Sequence, residues 1–124
     1  MPARSPEELD RLFAQALNSG NLESLAALYE PAASLSPQPG HTVTGTQGIR
    51  QALAIFLSMK PKINLMPRLL AQAGDVALVS AAWTLTGTGP DGSPVNLSGQ
   101  SAEVCRRQRD GSWRYVIDNP FGLQ

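Results

Sequence analysis

Four side chains in this 124-residue sequence have the type and setting for chemistry: Glu103, Asp118, His41 and Cys105. Glu103 stands between Ala102 and Val104 in an apolar–polar alternation. Its carboxyl is therefore expected to be partly buried, where desolvation raises the pKa and suits it to act as an acid or hydrogen-bond donor. The competing reading is a salt bridge to an adjacent-strand arginine such as Arg114. Asp118 lies near the end of the last strand, where its plain reading is a cap of the strand or of the Asn119-Pro120 turn. His41, the only histidine, sits just after the Pro37–Gly40 loop and carries the side-chain type most used for proton transfer. It either lines a pocket rim or is solvated. Cys105, the only cysteine, falls within a strand and reads as a buried, inert thiol. No second histidine, cysteine cluster or carboxylate spacing marks a metal site, and no glycine-rich turn between strand and helix marks a nucleotide site. No cofactor is expected.

The elements that must position these groups follow from periodicity and punctuation. Ser5, Pro6 and Glu8 form a helix start with a capping box, and Leu9, Leu12, Phe13, Ala16 and Leu17 recur on one helical face. Gly20 suits the stop. Asn21 opens a shorter helix with Leu22, Leu25, Ala26 and Tyr29 inward, ended by Pro31. A short strand is expected over 32–36, then a loop, then a third helix capped by Thr46 with Ile49, Ala52, Leu53, Phe56 and Leu57 on its apolar face. Lys60-Pro61 ends it. From residue 62 onward the chain alternates as strands. The first contains Pro67, which marks an edge or a bulge. The next runs from Val76 to Thr88, with Trp83 and Leu85 opposite in facing to Thr84 and Thr86. A third runs from Val95 to Arg107 with a bend expected at Gly99, and the last is 113–118. Gly74, Gly92 and Gly111 sit in the turns. Helices first and a strand meander after argue for an α+β fold, with three helices on one face of a curved, mainly antiparallel sheet.

Composition limits the partners. At 124 residues, with 42% hydrophobic and 16% charged content, the chain reads as one globular domain, 1–124. Ten basic residues balance ten acidic ones, so neither nucleic acid nor an anionic membrane is an expected partner. Arg106, Arg107 and Arg109 cluster at a strand end, either solvated or forming a phosphate or carboxylate site. No apolar run approaches the ~20 residues that span a bilayer. The N-terminal segment lacks a signal-like stretch, and a cytoplasmic location is expected. Several strands are apolar on both faces, which predicts a homodimer through sheet faces.

Four segments carry a family resemblance: Ala16-Leu-Asn-Ser-Gly-Asn-Leu, Leu28-Tyr-Glu-Pro-Ala-Ala-Ser-Leu, Val43-Thr-Gly-Thr-Gln-Gly-Ile-Arg-Gln-Ala-Leu, and the stretch from Glu103 to Gly122. Over nearly its whole length the chain resembles the nuclear transport factor 2-like superfamily, in particular its small ketosteroid-isomerase-like and SnoaL-like members. The resemblance implies a cone-shaped, cystatin-like fold with a pocket in its mouth. It does not by itself imply one activity.

The isomerase pattern needs an aspartate base, a tyrosine and a protonated aspartate. The matching positions hold Pro37, Phe13 and Glu103, so only one of three polar groups is kept, and a conventional steroid isomerase is not expected. In SnoaL-like cyclases a final-strand aspartate is the acid/base, which implies that role for Asp118. One extra residue in the final strand leaves its facing open, because a one-residue slip reverses a strand.

The expectation is a binder of a small apolar or aromatic molecule. Any chemistry would be isomerase- or lyase-type proton transfer by Glu103 and Asp118. Phe13, Tyr29, Pro37, His41, Phe56, Trp83 and Phe121 would line the ligand site, with Trp113 a further aromatic candidate. The alternative is a non-catalytic ligand-binding or dimerisation module.

Overall fold

The structure is a computed structural model and describes residues 2–122. In chain order the elements are α1 (Pro6–Ser19), α2 (Leu22–Ala26), β1 (Tyr29–Gln38), β2 (His41–Thr44), α3 (Gly45–Ser58), β3 (Lys62–Ala73), β4 (Val76–Thr88), β5 (Pro94–Gln100), β6 (Ala102–Arg107) and β7 (Trp113–Asn119). The strands form one sheet in the order β2-β1-β7-β6-β4-β3, with β5 also paired to β4. All pairings are antiparallel except β1 with β7, which is parallel. The three helices cover one face, so the fold is the expected α+β arrangement. No helix of the described residues is long and apolar enough to cross a membrane.

The local signals explain the helices. The Ser5 hydroxyl accepts from the Glu8 backbone N–H at 3.1 Å, and Gly20 ends α1 in the left-handed conformation at φ 72°. Asn18 then ties the end of α1 to β3: its amide donates to the Ile63 carbonyl at 3.0 Å and accepts from the Ile63 N–H at 2.6 Å. Leu9, Leu25, Leu35, Ile49, Leu53, Val79 and Tyr115 are wholly buried between helices and sheet. On β4 the inward set is Ala77, Val79, Ala81, Trp83 and Leu85, alternating with exposed residues as the period of two requires.

Several boundaries differ from expectation. The second helix ends at Ala26, and β1 begins at Tyr29 and runs through Pro31. Pro31 is tolerated because β2 pairs with β1 only from Ser34 onward, so the missing N–H removes no ladder bond on that side. The residue preceding α3 is Thr44 rather than Thr46, and its side chain makes no cap bond. Pro67 does mark an edge strand, since β3 pairs only with β4.

The expected third long strand is divided at Ser101 rather than bent at Gly99. Ser101 N–H donates to the Ala81 carbonyl at 2.8 Å, its hydroxyl accepts from Ala81 N–H at 2.9 Å, and its carbonyl accepts from Ser80 Oγ at 2.6 Å. The chain thus runs once along β4, as β5 and then β6 in one register, through one pinned residue.

Gly99 instead makes room. A Cβ there would lie 3.1 Å from the Trp83 ring, whose Nε1–H donates to the Pro120 carbonyl at 2.6 Å. Gly99→Ala is expected to push the indole off that carbonyl and to cost about 1–3 kcal/mol, as overpacking does. Urea unfolding followed by tryptophan fluorescence checks this; an unchanged midpoint would show that the ring yields freely.

Candidate functional site

The mouth between α1, α3 and the sheet holds a narrow cavity with about 650 Å³ of empty space, its opening included. Phe13, Leu17, Leu53, Phe56, Ile63, Leu65, Trp83, Leu85, Leu97 and Phe121 supply apolar walls, and Asp10, Ser101, Glu103, Tyr115 and Asp118 supply polar atoms. Among the described residues that line it there is no lysine, arginine or histidine. Trp83 and Phe121 meet edge to face at 5.8 Å between ring centroids, and Phe13 meets Tyr115 the same way at 6.1 Å.

Three carboxyls form the polar floor, each nearly closed to solvent: Asp10 is 2% exposed, Glu103 3% and Asp118 6%. They reach the same place from different elements. Asp10 comes from α1, where its spacing of three from Phe13 and seven from Leu17 puts it on the inner stripe. Glu103 on β6 lies directly across from Asp118 on β7.

The inward facing of Asp118 depends on a bulge. Cys105 pairs with Tyr115 and Val104 with Ile117, so Val116 is an extra residue on β7. Tyr115 and Asp118 therefore face inward together, three residues apart, while Ile117 is exposed. The bulge absorbs Val116, so that Asp118 keeps its place in the cavity.

Two tyrosines hold the carboxyls. Tyr29 Oη donates to Asp118 Oδ2 at 2.5 Å, and Tyr115 Oη donates to Asp10 Oδ1 at 2.5 Å. The two rings lie 5.0 Å apart. Asp10 Oδ2 and Glu103 Oε1 are buried without a hydrogen-bond partner.

Burial is the largest influence on every group in the cluster. It pushes Asp118 up from 3.8 to about 7, against the Tyr29 hydrogen bond, which pulls the other way. Glu103 is held well above the usual carboxylate range by burial and then by the charges of Asp10 and Asp118. Asp10 is also raised by burial, partly offset by the neighbouring Glu103 carboxyl and by the Tyr115 hydroxyl that donates to it. Both tyrosines are pushed far up, again chiefly by burial, so they stay protonated donors.

The site differs from expectation at several residues. Glu103 and Asp118 come together, as do Phe13, Phe56, Trp83 and Phe121. Glu103 has no arginine partner: Arg114 sits across from Arg106. Tyr29 does not line the cavity but stands behind Asp118 as its donor. Pro37 and His41 lie outside, in a groove between β1, β2 and α3 that also includes Ile55 and Met59. They are remote because β1 extends to Gln38 and carries the turn away from the mouth. Trp113 is buried on the far side, beside the Ala3 bridge and 5.4 Å beneath the Arg107 guanidinium.

Two of the three clustered arginines are engaged elsewhere. Arg106 forks onto Glu30 at 2.8 and 2.9 Å, and Arg107 pairs with Asp75 at 2.8 Å. Cys105 is buried, and its thiol is pushed up by burial and then by the carboxylates, which leaves it inert.

Sequence reasoning missed Asp10, Tyr115 and Ser101. A charge on the apolar stripe of α1 was the signal available for Asp10.

A raised carboxyl pKa makes the fold bind more protons than the unfolded chain between the two pKa values. For Asp118, stability is full below about 4 and is lost as pH rises toward about 7, a difference of roughly 4 kcal/mol. Urea midpoints are expected to fall between pH 5 and pH 8, and Asp118→Asn is expected to flatten that slope. A midpoint that rises with pH over this range would contradict the assignment.

Comparison with known proteins agrees with this architecture. The SnoaL-like domain family matches residues 9–116. A comparison with curated proteins finds no match.

Solved structures superpose over most of their length. A Xanthomonas campestris protein provisionally described as a calcium/calmodulin-dependent protein kinase II association domain gives a TM-score of 0.76 at 26% identity, covering 94% of this chain and 84% of that one. An uncharacterized Caulobacter vibrioides protein with a cystatin-like fold gives 0.79 at 20% identity, covering 95% and 87%. A ketosteroid isomerase-like protein from Erwinia carotovora atroseptica gives 0.73 at 19% identity, covering 90% and 88%. Helices on one face of a curved sheet, a mouth closed by α1 and α3, and a family match across most of the sequence agree: the chain belongs to the SnoaL-like domain family and has the cystatin-like fold.

Proposed function

We propose that this protein catalyses proton transfer on a small, neutral apolar or aromatic molecule, as an isomerase- or lyase-type enzyme without a steroid-isomerase catalytic set. The observation that carries this reading is the meeting of Glu103 and Asp118 on the floor of an otherwise apolar cavity. Two carboxyls whose environments hold their pKa values apart can divide acid and base work. Asp118, raised to about 7, ionises near neutrality and can accept a proton from carbon or oxygen. Glu103 remains protonated and can return a proton to an oxygen at the other end of the bond being reorganised. The substrate's proton inventory then balances in an isomerisation, and in a dehydration the returned proton leaves with the hydroxyl as water.

Wall chemistry limits the ligand. An anion would enter a cavity with three carboxyls and no cationic side chain, so a neutral ketone, enol or aromatic alcohol is favoured over an acid. The departures from the isomerase pattern support the same distinction: Phe13 lines the cavity as hydrocarbon, and Pro37 lies outside it. A thermal-shift screen is expected to show stabilisation by neutral cyclic ketones and none by aromatic acids. Proton–deuterium exchange at carbons beside the carbonyl of a stabilising ketone, followed by NMR, is expected to be accelerated. Glu103→Gln and Asp118→Asn should each slow it by about 100-fold or more. Binding without exchange would leave the non-catalytic ligand-binding reading in its place.

We also propose self-association through the outer sheet face. Met66 is 67% exposed and Ile117 47%, and Val76 and Leu78 are exposed on β4 beside them. The second copy is the favoured cover because this apolar area lies on the wide sheet face that no helix packs against. Light scattering at micromolar concentration is expected to give twice the chain mass, and Leu78→Glu to return it to one; a wild-type monomer would count against the interface. A cytoplasmic setting accords with the lone, unpaired Cys105.

A further inference from the structure

Asp10 and Glu103 are the two members of the floor that each keep a buried oxygen without a donor: Asp10 Oδ2 and Glu103 Oε1. Both carboxyls line the same cavity, and the two are within hydrogen-bonding reach of each other. Two carboxylates side by side would leave both oxygens unsatisfied and repelling, in a place with almost no solvent. Burying even one unsatisfied polar atom costs about 1–3 kcal/mol, and more for a charged one. One proton between them removes both problems, because it supplies a single donor for the facing acceptor.

We propose that Asp10 and Glu103 share one proton, and that Asp10 is the positioning residue that keeps Glu103 in its acid form. This deepens the proton-transfer reading above by adding a third carboxyl, from α1, to the two on the sheet.

The partners set the direction of sharing. Asp10 Oδ1 already accepts from Tyr115 Oη, which favours the charge on Asp10. Glu103 has only the aliphatic hydroxyl of Ser101 beside it, which is outweighed by burial and by the charges of Asp10 and Asp118; it faces Asp118 across the strand pair, and it therefore keeps the proton and donates it to Asp10. Every titratable neighbour acts in a known sense. Asp118 raises Glu103 by repulsion, Tyr115 and Arg11 lower Asp10, and Glu7 raises it. Tyr29 engages Asp118, and Cys105 stays neutral beside them. No cation from any packed element lines the cavity to stabilise a second charge on the pair.

The pair then works as a held proton. While Asp118 is ionised and ready to accept, Glu103 remains loaded. A ligand oxygen that becomes anionic against the floor competes with Asp10 for that proton. After transfer, the proton taken up by Asp118 restores the balance when product leaves.

The test needs no substrate. The side-chain carboxyl carbon of Glu103 is followed by ¹³C NMR through a pH titration of the wild type, Asp10→Asn and Asp10→Ser. In the wild type, Glu103 is expected to hold the shift of a protonated acid past pH 7. Removing the Asp10 charge should lower the Glu103 midpoint by about one pH unit or more, with the Asp118 titration still present. Glu103 already ionised at pH 6 in the wild type, or a midpoint unmoved in both folded variants, overturns the proposal. The wild-type curve alone decides the first point if neither variant folds.

The exchange assay separates this inference from the proposed activity. A moved Glu103 midpoint without catalysed exchange sinks the enzyme reading and keeps the shared proton. Exchange with an unmoved midpoint does the reverse. Where both hold, the alkaline limb of the exchange rate should move down with the Glu103 midpoint, which a purely structural role for Asp10 would not produce.

Discussion

Taking a carboxylate out of water costs several kcal/mol unless something replaces its hydration, and this fold brings three to one floor. The surroundings of that floor are arranged around this cost. Tyr29 and Tyr115 are buried phenols that need acceptors as much as Asp118 and Asp10 need donors. Each bond therefore satisfies both of its ends. The members come from α1, β1, β6 and β7, so the polar cluster ties the helical layer to the middle of the sheet. Removing one partner would leave the other buried and unmatched, which is usually worse than never having built the pair.

The apolar walls strengthen the effect of the floor. Electrostatic interactions weaken with solvent, and the cavity keeps solvent low through the rings of Phe13, Phe56, Trp83 and Phe121. Its shape is fixed by backbone devices rather than by the rings alone. Ser101 pins β5 and β6 to β4, Gly99 leaves room for the Trp83 indole, and Asn18 fastens α1 to β3. A packed rim over a buried polar floor keeps the carboxyls at fixed distances from one another and out of water.

Much of the fold was legible because local signals were strong. The Ser5 cap, the Gly20 stop and the inward alternation of β4 were all visible in the sequence, as was Pro67 on an edge strand. What could not be read depended on partners distant in sequence. Pro31 looked like a helix stop, yet it lies within β1, because the absence of β2 along that stretch decides whether its missing N–H matters. The parallel pairing of β1 with β7 leaves no trace in either strand's composition. Phe13, Phe56, Trp83 and Phe121 line the cavity, but aromatic type could not separate them from Trp113, which is buried on the other side of the molecule. Asp10 was hidden by its own charge: an acidic residue on a helix is usually read as solvated, and only the stripe it shares with Phe13 and Leu17 argues otherwise.

The bulge at Val116 gives the final strand a property that composition does not show. It acts as a phase shift, placed between a residue that anchors α1 and a residue that faces the cavity. Upstream of it, Tyr115 keeps its parity; downstream, the bulge decides whether a carboxyl or an isoleucine enters the cavity. If Val116 were drawn into a regular ladder, Ile117 would take the inner face and Asp118 the outer one, while the hairpin at Gly111 stayed in place. Removing Val116 altogether would leave Tyr115, Ile117 and Asp118 opposite the partners they have now. A strand with such a joint can carry one residue more or one fewer without turning its carboxyl out of the cavity, so two chains of different length can present the same polar floor.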